Sequence, residues 1–283
     1  MLHDLAYLAG AHAPLVLAAA IVCPLVALLL AWTWAARYGP RLQRRYARLS
    51  DWMHATRALQ ALHRRAPALE RFSLRTAFLW IPLAAFATIV FAIDAFGELA
   101  DGIGPGEALH GFDLALAASL QQHTSPEVRT FFGAATRMGD AIPIVSICLT
   151  VAAVLLAKRR IVLLYGWMLA VIGSALLNPA IKVWFARERP GEMPLLDTWS
   201  FPSGHAMNSL VTYGMLVYLL SRALPRPWLP VAAACATTVV MLIGASRMFL
   251  NVHYASDILA GFLAGLAWLA VCIAATELRL RRA

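Results

Sequence analysis

Charge is scarce in this sequence. Only 14% of the 283 residues are Asp, Glu, Lys or Arg, whereas 61% are hydrophobic. A soluble domain is about a quarter charged and about half apolar. The composition therefore excludes an ordinary soluble domain and indicates an integral membrane protein.

Cysteines are few and unpaired in the sequence. The four cysteines lie singly in different apolar stretches, at Cys23, Cys148, Cys235 and Cys272. They lack the short spacings of a zinc site or a disulfide framework, and we expect packed, reduced thiols. The chain also lacks a glycine-rich nucleotide loop and a cluster of carboxylates, so the sequence predicts neither a bound metal nor a cofactor.

Lysine and arginine are absent from the first twelve residues. A cleavable signal peptide begins with a basic segment and continues into an apolar one. In this chain the order is reversed, because the basic block follows the first apolar run. We therefore expect this first apolar run to be retained as a membrane anchor.

Apolar stretches long enough to cross a bilayer recur along the chain. About 20 residues span the hydrocarbon core, and seven stretches approach that length, at 13–36, 76–96, 141–157, 161–177, 204–220, 228–245 and 258–275. The sequence predicts an all-α polytopic membrane protein. We expect a six-helix core at 73–276, preceded by an N-terminal anchor and a basic segment in 1–72 and followed by a basic tail at 277–283.

The distribution of positive charge predicts the orientation of these spans. Eighteen of the twenty-four Lys and Arg residues lie in the segments 37–75, 158–160, 222–226 and 279–282. Cytoplasmic loops carry such an excess, so we expect the N-terminus outside, the C-terminus in the cytoplasm and a location in the inner (plasma) membrane. This alternation explains the net charge of +9 without a nucleic-acid partner.

Two long connections have open interpretations. Segment 37–75 alternates basic and apolar residues, which fits a helix lying on anionic membrane lipids or a solvated connector that only fixes topology. Segment 97–140 is too long to lack structure in a compact protein. Interfacial helices over the outer ends of the spans are expected there, with a floppy loop as the alternative.

The first of three polar groups follows the fourth span. Lys182 and Arg189 are seven residues apart, so they could share one face of a helix, which Pro190 would end. A lysine charge and an arginine fork suit phosphate oxygens. The alternative is a basic interfacial anchor, although an outer anchor runs against the positive-inside trend. Arg187 lies beside the pair, but nothing in the sequence distinguishes it from a surface charge.

The second group, Pro-Ser-Gly-His at 202–205, opens the fifth span. Ser203 is typical of a helix N-cap, and Gly204 permits a ligand to approach the backbone closely. The free amides and the positive dipole end of such a turn bind anions, and His205 would project beside them. For this group alone, a capping serine and an interfacial histidine are the simpler interpretation.

The third group precedes the seventh span. His253 and Asp257 are four residues apart, which would place them on one face of a helix. A carboxylate that accepts from one ring nitrogen fixes the tautomer and makes the other nitrogen a better nucleophile. Ser246 and Arg247 add a hydroxyl and a third cation. A structural ion pair is the alternative for this group.

Taken together, the three groups resemble the type 2 phosphatidic acid phosphatase superfamily in order and spacing. The shared pattern is Lys, six residues, Arg-Pro; then Pro-Ser-Gly-His; then Ser-Arg, five residues, His, three residues, Asp. The resemblance covers about residues 73–276. One departure is Glu188, at a position where many members carry proline.

The resemblance implies a role for each matching residue. Catalytic roles fall on His253, His205 and Asp257, and phosphate-binding roles on Lys182, Arg189, Ser203, Gly204 and Arg247. His253 would attack phosphorus to form a phosphohistidine, with Asp257 orienting it. His205 would protonate the leaving oxygen and then activate water. The family is regarded as metal-independent, so neither a metal nor a cofactor is implied.

The sequence therefore predicts a phosphatase whose site faces the periplasm and acts among membrane lipids. A site at span ends favours a lipid phosphate substrate: phosphatidic acid, phosphatidylglycerol phosphate, undecaprenyl diphosphate or a lipid A phosphate. A lipid phosphotransferase would use the same phosphohistidine. A transporter would hold its charges near mid-membrane, whereas these lie at span ends. A vanadate-dependent haloperoxidase shares the anion pocket, but such relatives are soluble.

Overall fold

A computed structural model describes residues 2–13, isolated positions between 15 and 37, residues 68–190 and residues 199–282. Side chains in the helix that begins at residue 68 are described from Pro82 onward. The predicted anchor at 13–36 and the basic segment up to residue 67 lie almost entirely outside the described residues.

The described chain is helical and contains no strand, which confirms the predicted all-α class. The helices are α1 (Leu2–Ala11), α2 (Ala68–Gly102), α3 (Ala108–His123), α4 (Pro126–Thr136), α5 (Ala141–Ala157), α6 (Ile161–Phe185), α7 (Gly204–Leu220), α8 (Leu229–Phe249) and α9 (Ala255–Leu280). Single 3₁₀ turns at Arg137–Gly139 and Arg226–Trp228 precede α5 and α8.

The described helices are those of a multi-pass membrane protein. Five segments are long and apolar enough to cross a bilayer: Pro82–Gly102, Pro126–Ala157, Ile161–Phe185, Arg226–Phe249 and Ala255–Leu280. Helix α7, which corresponds to the span predicted at 204–220, is shorter at 17 residues and is not one of these five. The total of about seven spans therefore stays a prediction.

The centre of the bundle is formed by α7 and α9. Helix α9 packs against α2, α6 and α7, and α7 also packs against α6 and α8. Glycines let the two helices approach closely, since a methyl group added at Gly261 would lie 2.6 Å from the Ser203 carbonyl oxygen, and one at Gly265 would lie 3.0 Å from that of Met207. Because both helices run in the same direction, this approach brings their N-terminal ends together.

Two helices form most of segment 97–140, which confirms the helical interpretation over the floppy loop. Helix α3 packs against α1, and α4 packs against α8. The rings of Phe132 and Phe249 stack with centroids 4.2 Å apart. The hydroxyl of Ser119 donates to the carbonyl of Tyr7 at 2.7 Å. These helices are therefore attached to the same end of the bundle as the start of α9.

The cysteines partly follow the prediction. Cys148 and Cys272 are buried free thiols, as expected, but Cys235 is exposed on α8. The expectation of packing is wrong for Cys235 because it lies on a face of α8 that no described helix covers.

Candidate active site

The ends of four helices bring the three predicted groups together. Lys182 lies in the last turn of α6, Ser203 immediately before α7, and Arg247 in the last turn of α8. The Ser203 amide donates to the Asp257 carbonyl at 2.8 Å, which joins the second group to the third. Arg189 Nη1 donates to the Val252 carbonyl at 2.8 Å and joins the first group to the third.

The path of the chain after α6 differs from the predicted one. Helix α6 ends at Phe185, and Ala186 adopts a left-handed backbone with φ of 44°. The prediction that Lys182 and Arg189 share a helix face is therefore wrong, because this residue turns the chain out of the helix before Arg189. The two cations still converge, since Lys182 Nζ and Arg189 Nη2 both donate to the Trp199 carbonyl, the latter at 3.4 Å.

His253 is held between an acceptor and a donor. Its ring is only 3% exposed. Nδ1 lies 3.4 Å from Asp257 Oδ2, and Nε2 lies 3.3 Å from Arg189 Nη1. A carboxylate accepts and a guanidinium donates, so this arrangement favours the tautomer with the proton on Nδ1 and a lone pair on Nε2.

Burial keeps this imidazole neutral. Desolvation is the largest cause that lowers the pKa of His253 to about 3; Asp257 opposes the shift, and the Lys182 and Arg189 charges add to it. At neutral pH the uncharged ring therefore retains the lone pair that a nucleophile requires.

A helix cap, not a helix face, creates the contact between His253 and Asp257. Helix α9 begins at Ala255, so His253 precedes it. The Tyr254 amide donates to Asp257 Oδ2 at 2.9 Å, as an acidic residue at the third helical position does in an N-terminal cap. The predicted pair is thus formed, but the prediction that both residues lie on one helix is wrong.

Ser203 and Gly204 form the start of α7. The Ser203 hydroxyl accepts from the Ala206 amide at 3.5 Å, which confirms its predicted place as the N-cap. A methyl group added at Gly204 would lie 2.8 Å from Asn178 Oδ1. A larger residue at this position would require the Asn178 side chain on α6 to shift.

His205 has a carboxylate partner that the sequence analysis missed. Its Nε2 lies 3.0 Å from Asp140 Oδ1, the residue that precedes α5. The two side chains are 26% and 46% exposed, respectively. A methyl group added at Gly139 would lie 3.1 Å from the His205 ring, so the turn before α5 packs directly against this histidine.

Arg247 extends toward α4 and supports the loop that carries His253. Its Nη1 donates to Thr136 Oγ1 at 2.9 Å. Its carbonyl oxygen accepts from the amides of Val252 and His253 at 3.1 and 3.2 Å. The adjacent Ser246 is fully buried and donates its hydroxyl to the Ile243 carbonyl at 2.6 Å. The Arg247 side chain is therefore a candidate anion ligand, and its carbonyl oxygen stabilises the loop that carries His253.

Arg187 is the main residue that the sequence analysis undervalued. It is buried, and its guanidinium donates to Asp257 Oδ1 at 2.7 Å and to Asp113 Oδ2 at 2.9 Å. Ser256 Oγ accepts from the same guanidinium at 2.7 Å. The available signal was Asp113 itself, an acid between Phe112 and Leu114 in an amphipathic stretch.

Comparison with known proteins agrees with this geometry. The family model described as the PAP2 superfamily matches residues 161–281. A curated relative, phosphatidylglycerophosphatase B of Bacillus subtilis (strain 168), is 39% identical over 104 residues, which are 35% of this chain and 51% of the relative. The chain thus spans about half the length of this curated relative.

A solved structure extends the similarity to 67% of the chain. The crystal structure of the first transmembrane PAP2 type phosphatidylglycerolphosphate phosphatase from Bacillus subtilis matches with a TM-score of 0.61 and 26% sequence identity. The match covers 67% of this chain and 96% of that one. The segment matched by the family model contains all three polar groups at their expected spacing. Through this segment the chain is similar to the PAP2 superfamily.

Proposed function

We propose that this protein is a metal-independent membrane lipid phosphatase and that phosphatidylglycerol phosphate is the first substrate to test. The names of the two relatives support a phosphatidylglycerol phosphate head group. The site itself supports phosphoryl chemistry, because the charges of Lys182 and Arg189 act on His253 and those of Lys182 and Arg247 act on His205. Fixed cations of this kind stabilise the charge that develops on a transferring phosphoryl group.

The observation that carries the proposal is the environment of His253. A neutral ring faces Asp257 on one nitrogen and a cationic donor, Arg189, on the other. The same guanidinium that contacts Nε2 is suited to bind a phosphoryl oxygen. A phosphate bound by Arg189 would therefore lie beside the lone pair of the proposed nucleophile.

In the first step, the Nε2 lone pair of His253 forms a bond to phosphorus while the phosphorus–oxygen bond to the lipid alcohol breaks. His205 donates a proton to the departing oxygen. Asp257 accepts the hydrogen bond from Nδ1 and stabilises the positive charge that develops on the ring. Lys182, Arg189 and Arg247 bind the phosphoryl oxygens.

In the second step, the neutral His205 removes a proton from water as the water oxygen attacks phosphorus. The bond between phosphorus and His253 breaks, and inorganic phosphate leaves. The Ser203 hydroxyl and the Gly204 amide are proposed to bind the phosphoryl oxygens in both steps, because the start of α7 has the amide arrangement of an anion site.

The proposed site lies at the periplasmic ends of a six-span core at 73–276 in the inner membrane, with 1–72 and 277–283 outside that core. An apolar groove of about 260 Å³ between α2, α6 and α9 supports a lipid substrate. Phe96 lines this groove and packs against Phe201, with ring centroids 5.4 Å apart. An acyl chain in the groove would therefore end near the turn that contains Ser203.

Phosphate release by the detergent-purified protein tests the proposal. The substrates are phosphatidylglycerol phosphate, phosphatidic acid, undecaprenyl diphosphate and a lipid A phosphate, each with a chelator present. We expect release that His253→Ala abolishes while the variant remains folded, because this residue is proposed to form the covalent intermediate. Substantial residual turnover in a folded His253→Ala preparation would contradict the nucleophile, and loss of activity with chelator would contradict metal independence.

Product analysis separates hydrolysis from transfer. A phosphotransferase would pass the phosphoryl group from His253 to an acceptor lipid instead of water. Free phosphate in the presence of added lipid alcohols supports the hydrolase, whereas a phosphorylated acceptor without free phosphate contradicts it.

A further inference from the structure

A buried ionic network stands behind the proposed nucleophile, and Asp257 is its one member that takes part in the mechanism above. It consists of Arg187, Asp113, Asp257 and Ser256, which we call the Arg187 network. Each of the four residues is at most 9% exposed. Arg187 Nη1 donates to Asp257 Oδ1 and to Ser256 Oγ, both at 2.7 Å, and Nη2 donates to Asp113 Oδ2 at 2.9 Å.

The network holds the Arg187 guanidinium through both terminal nitrogens, Nη1 and Nη2. Asp113 on α3 accepts from Arg187 and from the Ser256 hydroxyl, and its Oδ1 accepts from the Ser256 amide at 3.2 Å. The Arg187 guanidinium also lies over the Tyr254 ring, 4.3 Å from its centroid. A planar fork held at this many points has one orientation, which a lysine ammonium could not reproduce.

The two oxygens of Asp257 are thereby divided between two tasks. Oδ1 accepts from Arg187, whereas Oδ2 accepts from the Tyr254 amide and faces His253 Nδ1. Rotation of the carboxylate would break the contacts of both oxygens at once. The Arg187 network thus determines which oxygen of Asp257 the histidine meets and places a cation beside this buried carboxylate.

We propose that Arg187, anchored by Asp113, is a positioning residue for the His253–Asp257 pair; this inference rests on the proposed function. Arg187 does not contact the reacting atoms. It holds the Asp257 carboxylate so that His253 keeps its proton on Nδ1 and its lone pair on Nε2. The consequence is an effect on the chemical step and not on the binding of the lipid.

A charge-balanced double variant tests the proposal. Arg187→Met alone would leave two carboxylates buried without a cation, which is strongly destabilising. Arg187→Met combined with Asp113→Asn keeps the net charge of the network, because one cation and two anions (+1 − 2 = −1) become one anion (−1). We expect kcat to fall by about 10- to 100-fold, as for other outer partners that orient a reactive group, with KM within about threefold of the parent.

Two further variants accompany the double variant. Arg187→Lys keeps the charge but loses the fork, and we expect an intermediate kcat with an unchanged KM. Arg222→Met is the matched control, because Arg222 forms an ion pair with Glu277 in a different part of the described chain. The control should retain the parental kcat even if its thermal stability falls.

The outcomes are separable. Parental kcat in a folded double variant, or in Arg187→Lys, overturns the positioning role of the fork. If the double variant does not fold, the Arg187→Lys result decides, with folding checked by thermal unfolding in detergent. Retained activity in His253→Ala would contradict the nucleophile, independently of any result at Arg187, whereas no phosphate release from any lipid by the folded parent would contradict the proposed function itself.

Discussion

The described part of the molecule contains two histidine–carboxylate pairs at the same end of the bundle, and their surroundings differ sharply. His253 and Asp257 are almost completely buried, and His253 Nδ1 lies 3.4 Å from Asp257 Oδ2. His205 and Asp140 are partly exposed, and the distance from His205 Nε2 to Asp140 Oδ1 is shorter, at 3.0 Å. Distance alone therefore does not distinguish the pairs; burial and the number of other partners do.

The difference matches two different proposed tasks. The buried pair has Arg187, Tyr254 and Arg189 as additional partners, which suits a nucleophile that must stay neutral and oriented. The exposed pair remains accessible to a leaving group and to water, which suits a residue that must exchange protons in each turnover. Environment, and not residue type, thus separates the proposed nucleophile from the proposed acid–base residue.

The largest effect should come from breaking the buried pair with Asp257→Asn. Asparagine has one acceptor oxygen where Asp257 has two, and Arg187, the Tyr254 amide and His253 Nδ1 all face those two oxygens. When the amide nitrogen takes the place of Oδ2, His253 loses the acceptor that holds its proton on Nδ1. We expect kcat to fall by about 10,000-fold or more, measured as phosphate release from the lipid substrate. Glu277→Gln is the control, and near-normal turnover in Asp257→Asn would show that Asp257 is structural only.

A smaller effect is expected from His205→Ala, and its size should depend on the substrate. Loss of a general acid and base costs about 100- to 10,000-fold. With an aryl phosphate, whose leaving group needs no proton, His253 should still be phosphorylated, so a labelled phosphoenzyme should accumulate because its hydrolysis is slow. His123→Ala is the control, and failure to trap any labelled intermediate would contradict the assignment of the two histidines.

The smallest effect should come from Asp140→Asn, in the exposed pair. An exposed ion pair contributes about 1 kcal/mol or less, which corresponds to at most about a fivefold change in rate. We expect turnover of the lipid to fall within that limit, with the aryl phosphate less affected. A loss as large as that of Asp257→Asn would remove the proposed distinction between the pairs; Asp101→Asn is the control.

The sequence was sufficient to find the three motifs and to predict the all-α class. Strong apolar patterning predicts helices, and the three motifs have spacings that a resemblance can match residue by residue. The start of α7 at Gly204 with Ser203 as its cap followed from local chemistry alone. These features depend on residues that are close together in the chain.

The partners of the motif residues could not be predicted in this way. Asp113 meets Ser256 across 143 positions of the chain, and Asp140 meets His205 across 65. No spacing rule applies at such separations. The end of α6 at Phe185 could not be predicted from the sequence either. Its left-handed residue is Ala186, whereas a glycine usually marks such a helix end.

The hydrogen bond from the Ser203 amide to the Asp257 carbonyl has a mechanical consequence. Together with the close approach at Gly261, it joins the starts of α7 and α9 directly to each other. Helices tilt when the thickness of the surrounding bilayer changes, but the proposed anion-binding turn at Ser203 and the carboxylate of Asp257 would tilt together. Bilayer composition should therefore change how readily a lipid reaches the site while leaving the distances between the reacting groups unchanged.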